Sequence, residues 1–207
     1  MQRAASETEA ANGALAHCKH PPIASIDERR AAAIACRTRF ADTRDAVLRL
    51  YDWNFATGRV IPAMDPRAAL GSLTKRYRLP DDCVKVRSVA GLEKDAWAVE
   101  SPIVNPGENP DLVSILVTNA TGPLVEYTRR VEQPVLWDAL FLEVFQLMLG
   151  ARIAPLIARN SGLAESLEAR ALEKLKPAKR VDAQEKARSE ISRDTSWLRA
   201  RRGGRPW

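Results

Sequence analysis

Between residues 27 and 53 apolar side chains recur at three- and four-residue steps. Cys36, Phe40, Thr43, Val47 and Leu50 form one line, with Ile34, Ala41 and Leu48 beside it. This is the period of a helix with one packed face, and the opposite face, from Arg29 to Arg49, is a mixture of arginines and aspartates that reads as solvated or subunit-facing. Upstream, residues 6–20 predict a shorter helix with Ser6 as N-cap and Glu9 as its capping-box partner, ended by Pro21 and Pro22. From Gly58 the helical period stops, and prolines punctuate the chain as far as Pro123. Strands are predicted over 74–79, 83–89, 97–100, 112–118 and 124–131, several of them alternating apolar with polar as half-buried antiparallel strands do. The turn Asn119–Pro123 is expected to be a hairpin joining the last two strands, with Gly122 at positive φ.

Pro134 is expected to open a second long helix running to about Asn160. Leu136, Leu140, Val144, Leu147 and Ala151 lie on one side of it, and Trp137, Phe141, Phe145, Leu149 and Ile153 on another. A helix apolar on most faces is a central, buried one, and Pro155 should kink it or convert its last turn. Ser161 then caps a more polar helix carrying Leu163, Leu167, Leu172 and Leu175, interrupted by Pro177 and resuming to about Ile191.

Composition adds a folded domain and a charged end. Of the 207 residues, 45% are hydrophobic and 28% charged, which excludes a wholly disordered chain. The net charge is +6, but residues 193–207 alone carry +4, so the body is nearly balanced and lacks the overall basic excess of a nucleic-acid-binding domain. Cys18, Cys36 and Cys83 are widely spaced, without a CxxC pair, and indicate reduced thiols in a protein made in the cytoplasm. The N-terminal residues have no apolar core, and the stretch 135–157 is broken by Asp138, Glu143 and Arg152, so neither a signal peptide nor a membrane span is expected.

Candidate chemistry is sparse. His17, Cys18 and His20 have metal-ligand side chains, but three within four residues strain a tetrahedral site, and the plain reading is a frayed helix end. Asp81-Asp82-Cys83 and Glu93-Lys94-Asp95 place carboxylates on loops without an evident partner, and only a carboxylate enzyme such as a glycosidase would fit them. GxSxG, HExxH, a Walker loop and GxGxxG do not occur. The expectation is therefore no catalytic site, no cofactor and no metal. The C-terminal residues RDTSWLRARRGGRPW are different, because an indole left in a polar Arg/Gly context wastes surface that binding could bury. One reading is a solvated tail. The other is an arm that orders on a partner, with Trp197 and Trp207 as anchors and Arg199, Arg201, Arg202 and Arg205 pairing with acidic groups or phosphates.

Taken in order, NGALAHCKHPPIASIDE, AAAIACRTRFADTRDAVLRLYDWNFA, RYRLPDDCVKV, LVEYTRRVEQPVLWDALFLEVFQLMLGARIAPLI and LEARALEKLKPAKRVDAQE resemble the tail tubular protein A family, the head-to-tail adaptors of short-tailed bacteriophages. The most specific part is Arg44-Asp45-Ala46-Val47-Leu48-Arg49 running into Trp53-Asn54-Phe55-Ala56, with Tyr77-Arg78-Leu79-Pro80-Asp81-Asp82-Cys83 about twenty residues later. Trp53 and Phe55 are expected to close the first long helix against the sheet, and Leu79-Pro80 to set the turn that presents Asp81 and Asp82. His17-Cys18-Lys19-His20 stands where the family commonly has a Leu-Gly turn.

The resemblance implies an α+β fold. In it an antiparallel α-helical bundle of residues 1–57 and 134–192 carries an inserted antiparallel β region over 58–133, with 193–207 as an extended C-terminal arm. It further implies a structural virion protein, assembled in the host cytoplasm as a dodecameric ring between the portal protein and the tail nozzle protein, with contact to packaged DNA in the channel and no membrane. The alternative is a DNA-binding protein that uses the basic arm. A tail-borne cell-wall hydrolase is a third reading.

Overall fold

The computed structural model describes residues 6–67, 69, 71–100, 114–158 and 160–193, with side chains of the last helix up to Asp182 and at Gln184. It is a mixed α+β structure of four helices and two antiparallel sheets. Helix α1 spans Glu7–His17 and α2 Ala31–Leu50. Strands β1 (Thr57–Val60), β2 (Ala63–Asp65), β3 (Lys75–Arg78), β4 (Cys83–Val89), β5 (Trp97–Glu100), β6 (Ile115–Thr118) and β7 (Val125–Arg129) follow, and then α3 (Ala139–Ile157) and α4 (Ser161–Arg193).

The Ser6 hydroxyl caps α1, accepting from the Glu9 N–H at 3.2 Å, as expected. Its C-terminus is closed by Lys19 at φ +54°, with His20 N–H bonding Leu15 O and Lys19 N–H bonding Ala16 O, both at 3.0 Å. This is a Schellman closure, a position that normally holds glycine. Helix α2 begins at Ala31 rather than Asp27, because Ser25 holds the preceding residues in a turn: its hydroxyl accepts from Asp27 N–H and its carbonyl from Glu28 N–H. Cys36, Phe40, Thr43, Val47 and Leu48 are buried as the period requires, but Ile34, Ala41 and Leu50 are exposed, while Arg44 from the other face is buried against Asp45.

Helix α3 contacts α1, α2 and α4 and is the centre of the larger core. It is long and apolar enough to cross a membrane by length and composition, but ten of its residues are buried in the protein. It begins at Ala139, not Pro134. Pro134–Leu136 form a separate 3-10 turn, and Asp138 then caps α3 by accepting from the N–H groups of Leu140 and Phe141. Leu136, expected inside, is exposed. The helix continues past Pro155 to Ile157, where Ala158 N–H bonds Ala154 O. Asn160, not Ser161, caps α4 through Leu163 N–H, and α4 runs through Pro177 to Arg193. Its packed seam is Leu167, Ala171, Leu175 and Ala178, whereas Leu172 is exposed. Trp53 and Phe55 pack edge-on against Phe141 of α3, at 5.3 and 5.0 Å between ring centroids, and Trp53 also links the end of α2 to the sheet, its Nε1–H donating to Val47 O at 3.1 Å and its carbonyl accepting from Arg87 of β4 at 2.8 Å.

Strands 74–79, 83–89, 97–100 and 124–131 are found where the pattern places them, to within a residue or two at most ends; for 112–118 the described part is Ile115–Thr118. β1 and β2 were not expected, being short and interrupted by Gly58 and Pro62. The sheets have orders β1-β7-β4 and β2-β3-β6-β5. Consequently the Asn119–Pro123 turn is not a hairpin: it passes the chain from one sheet to the other. Its polar groups are committed to β3 and its lead-in. Tyr77 Oη donates to Ala120 O at 2.9 Å and accepts from Gly122 N–H, while Asn119 bonds Thr74 and Ser72. Gly122 has the expected positive φ, +59°. Tyr77, Leu79, Val89, Leu116, Val125 and Tyr127 form a second core.

Candidate interaction surface

The turn after β3 is built by Pro80, whose carbonyl accepts from Cys83 N–H at 2.9 Å, and this presents Asp81 and Asp82 as the sequence implies. Asp81 is exposed; Asp82 is half-buried, and its Oδ1 accepts from Tyr127 Oη at 3.2 Å. Burial first, and the Asp82 charge second, push the Tyr127 phenol up to about 12. Gly58 lies opposite Tyr127 in the β1–β7 pair, and a Cβ there would meet the phenol ring at 2.5 Å, so the ring position requires glycine.

Arg130, just past β7, joins this turn to α2. Its N–H donates to Asp82 O at 2.7 Å and its guanidinium to Asp81 O at 3.2 Å and to Asp45 Oδ2 at 2.9 Å. The other Asp45 oxygen accepts from Arg44 Nε at 2.8 Å. Charge-assisted bonds of this kind orient their partners more than neutral ones do. Three segments far apart in sequence thus meet at one polar node. A second weld lies at the end of α2, where Arg49 bonds Val84 O and the nearly buried Arg87 guanidinium bonds Trp53 O, Thr57 and Thr128. Asp182 of α4 accepts from Asn54 N–H at 3.1 Å beside it.

Above the Arg130 node is an open cleft of about 490 Å³, lined by Asp81, Asp82, Arg129, Arg130, Glu132 and Leu136 among others. A second hollow of about 370 Å³ adjoins it through Glu132 and Gln133 and is lined further by Glu7, Pro134 and Val135. Val135 is 47% and Leu136 52% exposed, so this surface has an apolar ridge within a charged rim. The pattern of hydrophobic positions misassigned Leu136 to the core. The signal that could have placed it outside is Asp138, an N-cap residue four positions after Pro134.

The remaining candidates are dispersed. Cys18 Sγ bonds Gly150 O, and His20 Nδ1 lies 2.9 Å from Pro21 O, so within the His17-Cys18-His20 cluster the Cys18 and His20 side chains engage different partners. Glu93-Lys94-Asp95 is exposed in the turn before β5 and does not line the cleft. Burial, reinforced by Asp82, pushes the Cys83 thiol up to about 11, and burial, reinforced by Cys18, does the same to Cys36. Both thiols are protonated at neutral pH and weakly nucleophilic. The arm residues Trp197, Arg199, Arg201, Arg202, Arg205 and Trp207 lie outside the described residues. No family model and no curated protein matches the chain.

Proposed function

We propose that the chain is a structural head-to-tail adaptor of a short-tailed bacteriophage, forming a dodecameric ring between portal and tail nozzle that serves tail assembly, DNA retention and genome ejection. In this reading the helices form an antiparallel bundle, the seven strands are its insertion, and the arm reaches the portal or a neighbouring subunit. The observation that carries the proposal is the Asp45–Arg130–Asp81/Asp82 node. It ties together the α2, β3–β4 and β7 segments on which the family resemblance rests, and it does so beneath an open cleft with a charged rim and an exposed Leu136. Such a cleft, open and edged by exposed aliphatic side chains, has the mixed character of a subunit interface.

The test is to mix the purified chain with the purified portal ring of a short-tailed phage and weigh the complex by native mass spectrometry. Twelve copies per portal ring are expected. Failure to bind portal, together with DNA binding by the chain alone that weakens steeply with salt, would replace this reading with that of a DNA-binding protein.

A further inference from the structure

We infer that the cleft over Arg130 is the docking site for the C-terminal arm of a second copy of this chain, taken as residues 194–207 because Arg193, expected in the arm, is the last residue of α4; the assignment to a second copy rests on the ring reading above. The cleft carries Asp81, Asp82 and Glu132 against Arg129 and Arg130, and the adjoining hollow adds Glu7, a net charge of −2; Asp45, which meets Arg130 at 2.9 Å, is balanced by Arg44 and leaves that sum unchanged. The surface is therefore acidic. Residues 194–207 carry four arginines against one aspartate, a net +3. Opposite charges of this size steer and register a docking segment. The apolar match is equally specific: Val135 and Leu136 stand about half exposed between the two hollows, and the arm supplies two indoles, Trp197 and Trp207, ten residues apart. Tryptophan and arginine are the residues most often responsible for affinity at protein interfaces.

Reach permits the contact. Among the described side chains of α4 the last buried one is Asp182, bonded to Asn54, and the helix continues eleven residues beyond it to Arg193, about 16 Å at 1.5 Å per residue. The fourteen residues that follow span up to about 45 Å when extended, comparable with the diameter of a domain of this size. A subunit packed beside this one in a ring is within that distance.

The experiment uses a dye-labelled synthetic peptide of residues 194–207, titrated into the full-length chain and followed by fluorescence anisotropy, with no portal present. Saturable binding that weakens with added salt is expected. Asp81→Arg combined with Glu132→Arg, both exposed positions, should weaken it at least tenfold. A peptide with Arg199→Glu and Arg201→Glu should fail on the native chain and regain binding on that charge-reversed chain. Absence of binding, or equal affinity for native and charge-reversed chains, overturns the proposal whatever the portal experiment gives. Binding only to a full-length chain whose own arm carries Arg199→Glu, Arg201→Glu and Arg202→Glu shows that the arm occupies its own cleft, and this too overturns docking between copies. Conversely, peptide binding with the expected charge dependence but without portal attachment leaves the arm site standing and removes the adaptor reading.

Discussion

Lys19 closes α1 at φ +54°, where a side chain crowds the backbone and glycine does not. Lys19→Gly is therefore expected to stabilise the protein by about 1 kcal/mol, raising the thermal midpoint by about 2–4 °C for a chain of this length; a calorimetric melt checks it. Asp65 is a different case. Its carboxylate is almost completely buried on β2 and takes a two-pronged bond from Arg67, at 2.8 and 3.0 Å, together with the Arg67 backbone N–H. The Arg67 side-chain bond, acting against the burial of Asp65, lowers its pKa to about 2. Because the folded value lies below the unfolded one, the stabilisation is complete above about pH 5 and is lost as the pH falls toward 2. With Arg67 partly exposed, the gain is about 1–2 kcal/mol. The stability difference between the native chain and Asp65→Asn, measured by urea unfolding, should thus shrink by that amount between pH 6 and pH 2.

At the scale of elements, α3 shows how a cap and a packed face divide the work. Asp138 ends the 3-10 turn and begins the helix, so Asp138→Ala should cost about 1 kcal/mol without changing the fold, as chemical denaturation would show. Leu147 and Phe141 are fully buried among α1, α2 and α4. An unpaired carboxylate there costs several kcal/mol, a large part of a domain's total stability of about 5–15 kcal/mol. Leu147→Asp is expected to lose the cooperative melt and the helical circular dichroism together. The helices themselves were legible because Leu, Ala and Phe recur with the helical period over twenty residues. Strands β4 and β5 were legible as apolar segments with punctuated ends. β1 and β2 were not, since three or four residues with a glycine or a flanking proline carry no readable alternation, and pairing with β7 and β3 is what makes them strands.

At the scale of the whole molecule, the exposed large apolar side chains among the described residues are spread over α2, the β1–β2 connection, β2, β5, the turn before β7, the 3-10 turn before α3, α3 and α4, and of these only Val135 and Leu136 are adjacent in sequence. Scattered apolar residues do not make a stable interface, which needs a continuous patch. The isolated chain is therefore expected to sediment as a monomer at concentrations below the dissociation constant of the arm–cleft contact, and a closed dodecamer formed there without portal would contradict this. Among the sequence candidates, the Asp81-Asp82 turn is part of the described surface, while Trp197, Arg199 and their neighbours fall outside the described residues. The cleft itself could not be read in advance. Glu7, Asp81, Arg130 and Val135 are brought together from α1, the β3–β4 turn and the chain after β7, and no local pattern encodes that meeting.

Local periodicity alone determined that this chain has two long apolar helical stretches, a β region between them, a turn at Pro80 and a positive φ at Gly122, because each depends on side chains within a few residues of one another. Tertiary structure decided the rest. Which face of α2 is inward depends on where α3 lies, and so Ile34 is exposed while Arg44 is buried with Asp45. Whether β6 and β7 pair depends on competing partners: β3 and β5 take β6, β1 and β4 take β7, and the turn between them becomes a crossing between sheets. Pairing energy is shared among strands distant in sequence, so an apolar alternation can predict a strand without predicting its neighbour.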